Sequence, residues 1–178
     1  KDSLPQPVVP VTELFREAGY WVGNAAEKDF GKLGKTDYNF IHDSKEMYDG
    51  PSWRGREEGQ PCFVQVQIFY PHRPFHADSL KPVNPEKVSI PPYYPDHPVT
   101  RKDWALYLET VQHADQAVGE VLEQLEADGL LENTIIFFFG DQGRPHVRAK
   151  QFMYDPGIHT PLIVRWPNGK EEGTVEER

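Results

Sequence analysis

Two apolar runs in this chain each release a polar cluster. Residues 62–69, CFVQVQIF, lead into Tyr70-Pro71-His72-Arg73-Pro74, and residues 134–140, TIIFFFG, lead into Asp141-Gln142-Gly143, with Lys150 a short loop beyond. An imidazole, a carboxylate and a cation are the groups that stabilise and protonate a departing anionic group. Singly, each has an ordinary reading. An Asp-x-Gly after a strand is more often a turn, a histidine between prolines is more often a loop residue, and a lysine is more often solvated. Their convergence at the ends of two independent runs nominates a site.

The elements that must position them follow from pattern. Both runs are rich in Val, Ile and Phe and read as buried strands. The longest helix is expected after Pro98, with Thr100 as N-cap and Asp103 completing an imperfect capping box. Its apolar stripe is Trp104, Leu108, Val111, Val118, Leu122 and Leu125, and Gly129 stops it after about 28 residues, or roughly 40 Å. Asp115 interrupts that stripe and is expected to be a hydrogen-bonded structural aspartate rather than a catalytic one. A first helix is expected after Pro10, with Thr12 as N-cap, Leu14 and Phe15 on its apolar side and Gly19 at its end, followed by a strand from Tyr20. Residues 29–60 show no clear period and read as irregular, and residues 161–166 read as another strand. The series predicts an α/β fold with a mainly parallel sheet flanked by helices, in which ligands collect at the carboxyl ends of strands.

Composition bounds the chemistry. With 38% hydrophobic and 12% aromatic residues in 178, the chain can bury a core. A net charge of -9 argues against a nucleic-acid partner, so an anionic substrate needs a local basic pocket. No apolar run reaches the roughly 20 residues of a membrane helix. The opening KDSLPQPVVP lacks the apolar stretch of a signal peptide, so the chain is expected to lack its start. Cys62 is the single cysteine, which excludes an internal disulfide and a Cys-rich zinc site; it is expected to be a buried structural thiol. The residues leave compartment and oligomeric state open.

Four segments resemble the sulfatase family of the alkaline-phosphatase-like superfamily, between Val11 and Pro167. ELFREAGYWVGNAAEKDFGKLGKTDYNF is similar to the family's L-x-x-x-G-Y-x-T segment and the G-K-x-H motif that follows it. PCFVQVQIFYPHRPF matches the apolar strand that ends in P-H-x-P-F. ALYLETVQHADQAVGEVLEQLEADGLLENTIIFFFGDQG resembles the long helix with D-x-x-x-G, the G-L-x-x-N-T strand entry and the S-D-H-G or G-D-N-G exit. HVRAKQFMYDPGIHTPLIVRWP is similar to the lysine-then-tyrosine loop and the G-x-x-x-P-L-I-x-x-x-P strand. In wording the chain is nearest to heparan N-sulfatase-like and bacterial sulfatases.

The resemblance implies a single partial catalytic domain over residues 1–178, part of an α/β/α sandwich, whose nucleophile segment and C-terminal part are missing. It implies that Lys35, His72 and Lys150 bind the sulfate, that Asp141 ligates Ca²⁺ and serves the leaving oxygen, and that Gln142 is a further metal ligand. It implies a sulfated sugar or other small sulfate ester as substrate, and an exported or periplasmic compartment. Two departures stand out. Asp37 occupies the histidine position of G-K-x-H, replacing a donor by an acceptor. Neither C-x-P-S-R nor S-x-P-S-R, the source of the family's formylglycine nucleophile, occurs, and the paired N-terminal aspartates of the metal site are absent too. The chain alone is therefore expected to be inactive. The rival readings are a phosphodiesterase or phosphatase of the same superfamily and a non-catalytic sulfatase-like binding domain.

Overall fold

The computed structural model describes residues 1–26 and 29–167. Glu27 and Lys28, inside the first of the resembling segments, and residues 168–178, counted in the expected domain, lie outside the described residues. The chain divides into two compact units, residues 1–69 and 70–178.

In the first unit, helix α1 (Val11–Glu17) takes Pro10 as its N-cap, in extended conformation. Thr12 lies inside the helix, where its hydroxyl is buried without a partner, so the expected Thr12 cap is corrected. Gly19, at φ +86°, ends the helix in the left-handed conformation that glycine adopts without a steric penalty. Strand β1 (Trp21–Ala26) is central, between antiparallel β2 (Asp29–Leu33) and parallel β3 (Cys62–Gln67). The parallel register is unbroken from Trp21↔Cys62 to Ala26↔Gln67. Sequence pattern misses β2 because it is a five-residue edge strand, paired across an irregularity at Ala25/Ala26. Val22 packs with Met47, from the short helix α2 (Ser44–Met47), and with Tyr48, and Phe15, Tyr38, Phe40 and Phe63 close around them.

In the second unit, helix α3 (Pro98–Ala127) is 30 residues long, about 45 Å. It starts before the expected Thr100 because Pro98 needs no N–H partner at the first position, and the His97 side chain accepts from the Val99 N–H at 3.2 Å. Asp103 is thereby released from capping. Gly129 follows the C-cap Asp128, at φ +68°.

The buried face of α3 is Ala105, Glu109, Thr110, Ala114, Ala117 and Leu125, offset from the expected stripe of large residues. A proline-rich strap covers it through polar contacts. Glu109 accepts from the N–H groups of Asp78 and Val83, and Thr110 Oγ1 accepts from that of His76. Asp115 is exposed rather than partnered in a core, which corrects that expectation.

Strands β4 (Ile136–Phe139) and β5 (Leu162–Arg165) pair antiparallel, from Ile136↔Arg165 to Phe139↔Leu162. The mainly parallel sheet is thus not observed: of the described strand pairs only β1–β3 is parallel, and β3 and β4 belong to different sheets. The reason is the connection. Between β4 and β5 the chain has only the single turn α4 (Asp155–Ile158) rather than a crossover helix, so the chain doubles back. Nor is β4 sealed on both faces, since Phe137 and Phe139 are 59% and 62% exposed.

Candidate active site

Lys35 sits in the first unit, just past β2. Its backbone carbonyl accepts from Gln67 Nε2 at 2.6 Å and from Asn24 Nδ2 at 3.3 Å, and Gly34 N donates to Asn24 O at 2.9 Å. Asn24 and Gln67 lie on β1 and β3 near their carboxyl ends, so Lys35 is pinned at the place where ligands collect in parallel α/β sheets. Gly34 permits this approach: a Cβ there would meet Asn24 Oδ1 at 2.5 Å and the Ala25 carbonyl oxygen at 2.8 Å. The Lys35 ammonium pairs with Asp37 at 2.8 Å, both side chains being largely exposed. The hydrogen bond from Lys35 holds the Asp37 carboxyl below its ordinary range. Asp37 therefore offsets the Lys35 charge in a largely exposed ion pair. Cys62 is half-buried at the start of β3, and burial pushes its thiol up, away from a reactive thiolate.

His72, Asp141, Gln142 and Lys150 all belong to the second unit. His72 is exposed, and its Nδ1 bonds to the Arg73 carbonyl at 2.6 Å; a carbonyl only accepts, so Nδ1 carries the proton. Arg73 ties this segment to its neighbours. Its guanidinium donates to both carboxylate oxygens of Asp103, at 2.9 and 2.7 Å, and to the Pro145 carbonyl at 3.0 Å, and it lies 4.1 Å from the Phe75 ring centroid. One side chain thus joins the His72 segment, the start of α3 and the loop that carries Asp141 and Lys150.

That loop closes on itself. Gly143 N donates to Gly157 O at 2.9 Å, Lys150 N to Arg144 O at 3.1 Å and Ala149 N to His146 O at 3.2 Å. Gly143 lies so near the backbone of Pro156 and Gly157 that a Cβ would meet Pro156 O at 2.1 Å. The Asp141 and Gln142 side chains are exposed and have no hydrogen-bond or ion-pair partner among the described residues.

Sequence pattern gave no warning of His146. It is packed among Phe75, Tyr94, Trp104 and Tyr107, with ring centroids 4.9 to 6.1 Å away. Its Nε2 lies 3.3 Å from Asp103 Oδ2, close enough for attraction but outside hydrogen-bond geometry. Burial outweighs that carboxylate and pushes the imidazole down to about 4. For Asp103 the Arg73 hydrogen bonds dominate and hold the carboxyl low.

A cavity of about 530 Å³ opens elsewhere in this unit, between residues 87–92 and Tyr94, Asp96 and Arg101. It contains none of the nominated residues. Its arginine is committed to Asp96 and to the carbonyls of Pro85, Glu86 and Val88, so it reads as a structural cleft rather than a reaction site.

Asp141 and Gln142 offer hard oxygen donors, which suit Ca²⁺ in kind but not in number, since that ion takes six to eight. Among the described residues no group of three His, Cys, Asp or Glu side chains is placed to hold a metal. No described helix is long and apolar enough to cross a membrane.

The nominated histidine, carboxylate, amide and lysine are of the types that serve hydrolases of anionic esters, and all four lie on loops of the second unit. The family match agrees: residues 3–178 match the family described as Sulfatase, and the chain belongs to the sulfatase family. It is 33% identical to an ulvan-active sulfatase of Formosa agariphila over 97% of this chain and 34% of that protein. It is 37% identical to human N-sulphoglucosamine sulphohydrolase over 68% of this chain and 29% of that protein. A Bacteroides thetaiotaomicron N-acetylglucosamine-6-O-sulfatase shows 39% identity over 39% of this chain and 13% of its own length. The chain spans about a third of the length of the first two relatives.

Proposed function

We propose that this chain is the sulfate-binding and leaving-group portion of a sulfuric ester hydrolase that removes sulfate from a sulfated sugar. Family membership is the observation that carries this reading, and the printed names of the relatives, which act on ulvan, N-sulphoglucosamine and N-acetylglucosamine, support a saccharide substrate. Lys35, His72 and Lys150 bind the sulfate oxygens, and two of these positions have visible support: the Lys35 backbone is pinned by Asn24 and Gln67, and Lys150 ends a closed turn. His72 carries its proton on Nδ1, directed into its own loop, so it binds through the other edge of its ring. Asp141 takes part at the leaving oxygen.

Asp141 and Gln142 would also contribute to a Ca²⁺ site completed by ligands outside this chain. That ion, when bound, supplies positive charge at the sulfate oxygens. The formylglycine nucleophile is likewise supplied from outside the chain, whose half-buried Cys62 has neither the motif nor the acidity for that role. The 178-residue chain by itself is therefore inactive.

The test uses the enzyme that joins this chain to a nucleophile segment. Asp141→Ala is expected to remove both the bound metal, read by elemental analysis, and sulfate release from a sulfated glucosamine. A metal-replete, active Asp141→Ala enzyme contradicts the assignment.

A further inference from the structure

In a chain of net charge -9, the stretch from Gln142 to Tyr154 contains no Asp or Glu but holds Arg144, Arg148 and Lys150. All three cations belong to one short loop, closed by the hydrogen bond from Lys150 N to Arg144 O. Among the described residues none of the three has a carboxylate partner, whereas Arg16, Arg73, Arg101 and Arg165 each have one.

The two arginines are nonetheless held. Arg144 donates from Nη2 to the Tyr93 hydroxyl and lies 5.2 Å from the Trp104 ring centroid. Arg148 lies 4.6 Å from the ring of Tyr154 and 6.0 Å from that of Tyr93, and Arg144 is 5.9 Å from the same Tyr93 ring. Two guanidinium groups thus share one aromatic side chain without a counter-charge. Arg148 is exposed and sits at φ +66°, a left-handed conformation uncommon for a residue other than glycine. Tyr93 and Tyr154 are 41% and 50% exposed, so the assembly faces outward. An aromatic face restrains a guanidinium while leaving N–H edges for an incoming oxyanion.

We propose that Arg148, held on Tyr154 and on the Tyr93 ring that Arg144 also contacts, binds a second anionic group of the substrate, beside the sulfate held by Lys150. The substrate is then a polyanionic saccharide, with a second sulfate or a uronic carboxylate near the scissile ester. This rests on the sulfate-ester reading. A guanidinium fork matches either oxyanion, and the experiment separates them.

The 178-residue chain is titrated by NMR with three ligands: a monosulfated glucosamine, a disulfated glucosamine, and a monosulfated glucosamine linked to an unsulfated uronic acid. Near-UV circular dichroism of the aromatic cluster confirms folding. Wild type is expected to bind at least one two-anion ligand about tenfold more tightly than the first ligand, a ratio of roughly 1.4 kcal/mol. Which of the two gains identifies the second group. Arg148→Gln is expected to lose the preference, Arg148→Lys to keep part of it, and Lys150→Ala to weaken all three ligands. Equal binding of all three by wild type, or a preference that survives Arg148→Gln, overturns this inference and leaves the sulfate reading standing. A folded wild-type chain that binds none of them overturns both.

Discussion

Removing Arg73 tests whether one side chain ties the His72 segment to α3 and to the loop that carries Lys150. Its guanidinium makes bonds of 2.9 and 2.7 Å to Asp103 and 3.0 Å to the Pro145 carbonyl. Charge-assisted bonds contribute about 1.5–3 kcal/mol when sheltered. Arg73 and Asp103 are 45% and 37% exposed, so solvent screening lowers the pair to about 1 kcal/mol. The carbonyl bond and the Phe75 contact add about 0.5 kcal/mol each. Arg73→Ala should therefore cost about 2 kcal/mol locally, or roughly 30-fold in an opening equilibrium.

The assay is hydrogen exchange at the Ala149 and Lys150 amides, which donate to His146 and Arg144 within the tethered loop. Both should exchange about 30-fold faster in Arg73→Ala, and Arg73→Lys, which keeps charge but loses the fork, should fall between. A double-mutant cycle with Asp103→Ala should return a coupling of about 1 kcal/mol. The Asp103 carboxyl is depressed when folded, so its stabilisation is present above its unfolded value near 3.9, is lost as pH falls through the lower folded value, and vanishes in Arg73→Ala. Exchange within twofold of wild type, or zero coupling, refutes the tether.

His146, with Arg73, Arg144 and Asp103 as its charged neighbours, is depressed to about 4 from 6.5, so the unfolded chain binds more protons between those values and stability should fall as pH drops from about 6.5 to 4. The span corresponds to at most about 3–4 kcal/mol, and chemical denaturation across pH should show the slope in wild type but not in His146→Phe. Gly143→Ala forces a Cβ against Pro156 O, so it should cost about 2 kcal/mol or more and loosen the same loop amides; wild-type exchange in that variant contradicts the close approach.

The glycine-marked ends of two helices were legible in the sequence, but the contacts around the candidate site residues were not. Gly19 and Gly129 marked helix ends because only a left-handed residue closes them cheaply, and both have positive φ. Thr12 and Thr100 misled as caps because α1 starts directly after Pro10 and α3 starts at Pro98 under a His97 cap. The stripe on α3 was misread because large residues suggest a core, whereas this face is covered by a strap that needs Glu109 and Thr110. The direction of β5 could not be read from its own residues, since it depends on the connection from β4. His72, Asp141 and Lys150 stood out by type and place. Asn24, Gln67 and Arg73, which hold the backbone around such residues, are bonded to partners 11, 32 and up to 72 positions away, beyond the reach of any local pattern.

Lys150 is proposed to meet the charge of the sulfate, and one comparison decides whether it does. In the enzyme that joins this chain to its nucleophile segment, kcat/KM for a sulfated glucosamine is measured for Lys150→Ala and for Lys102→Ala, an exposed lysine on α3. One preorganised charge at a developing anion is worth about 3 kcal/mol, so Lys150→Ala is expected to lower kcat/KM by roughly 100-fold or more, and Lys102→Ala to stay within about twofold of wild type. Equal losses at the two positions would contradict the assignment of Lys150 and of the closed loop that presents it.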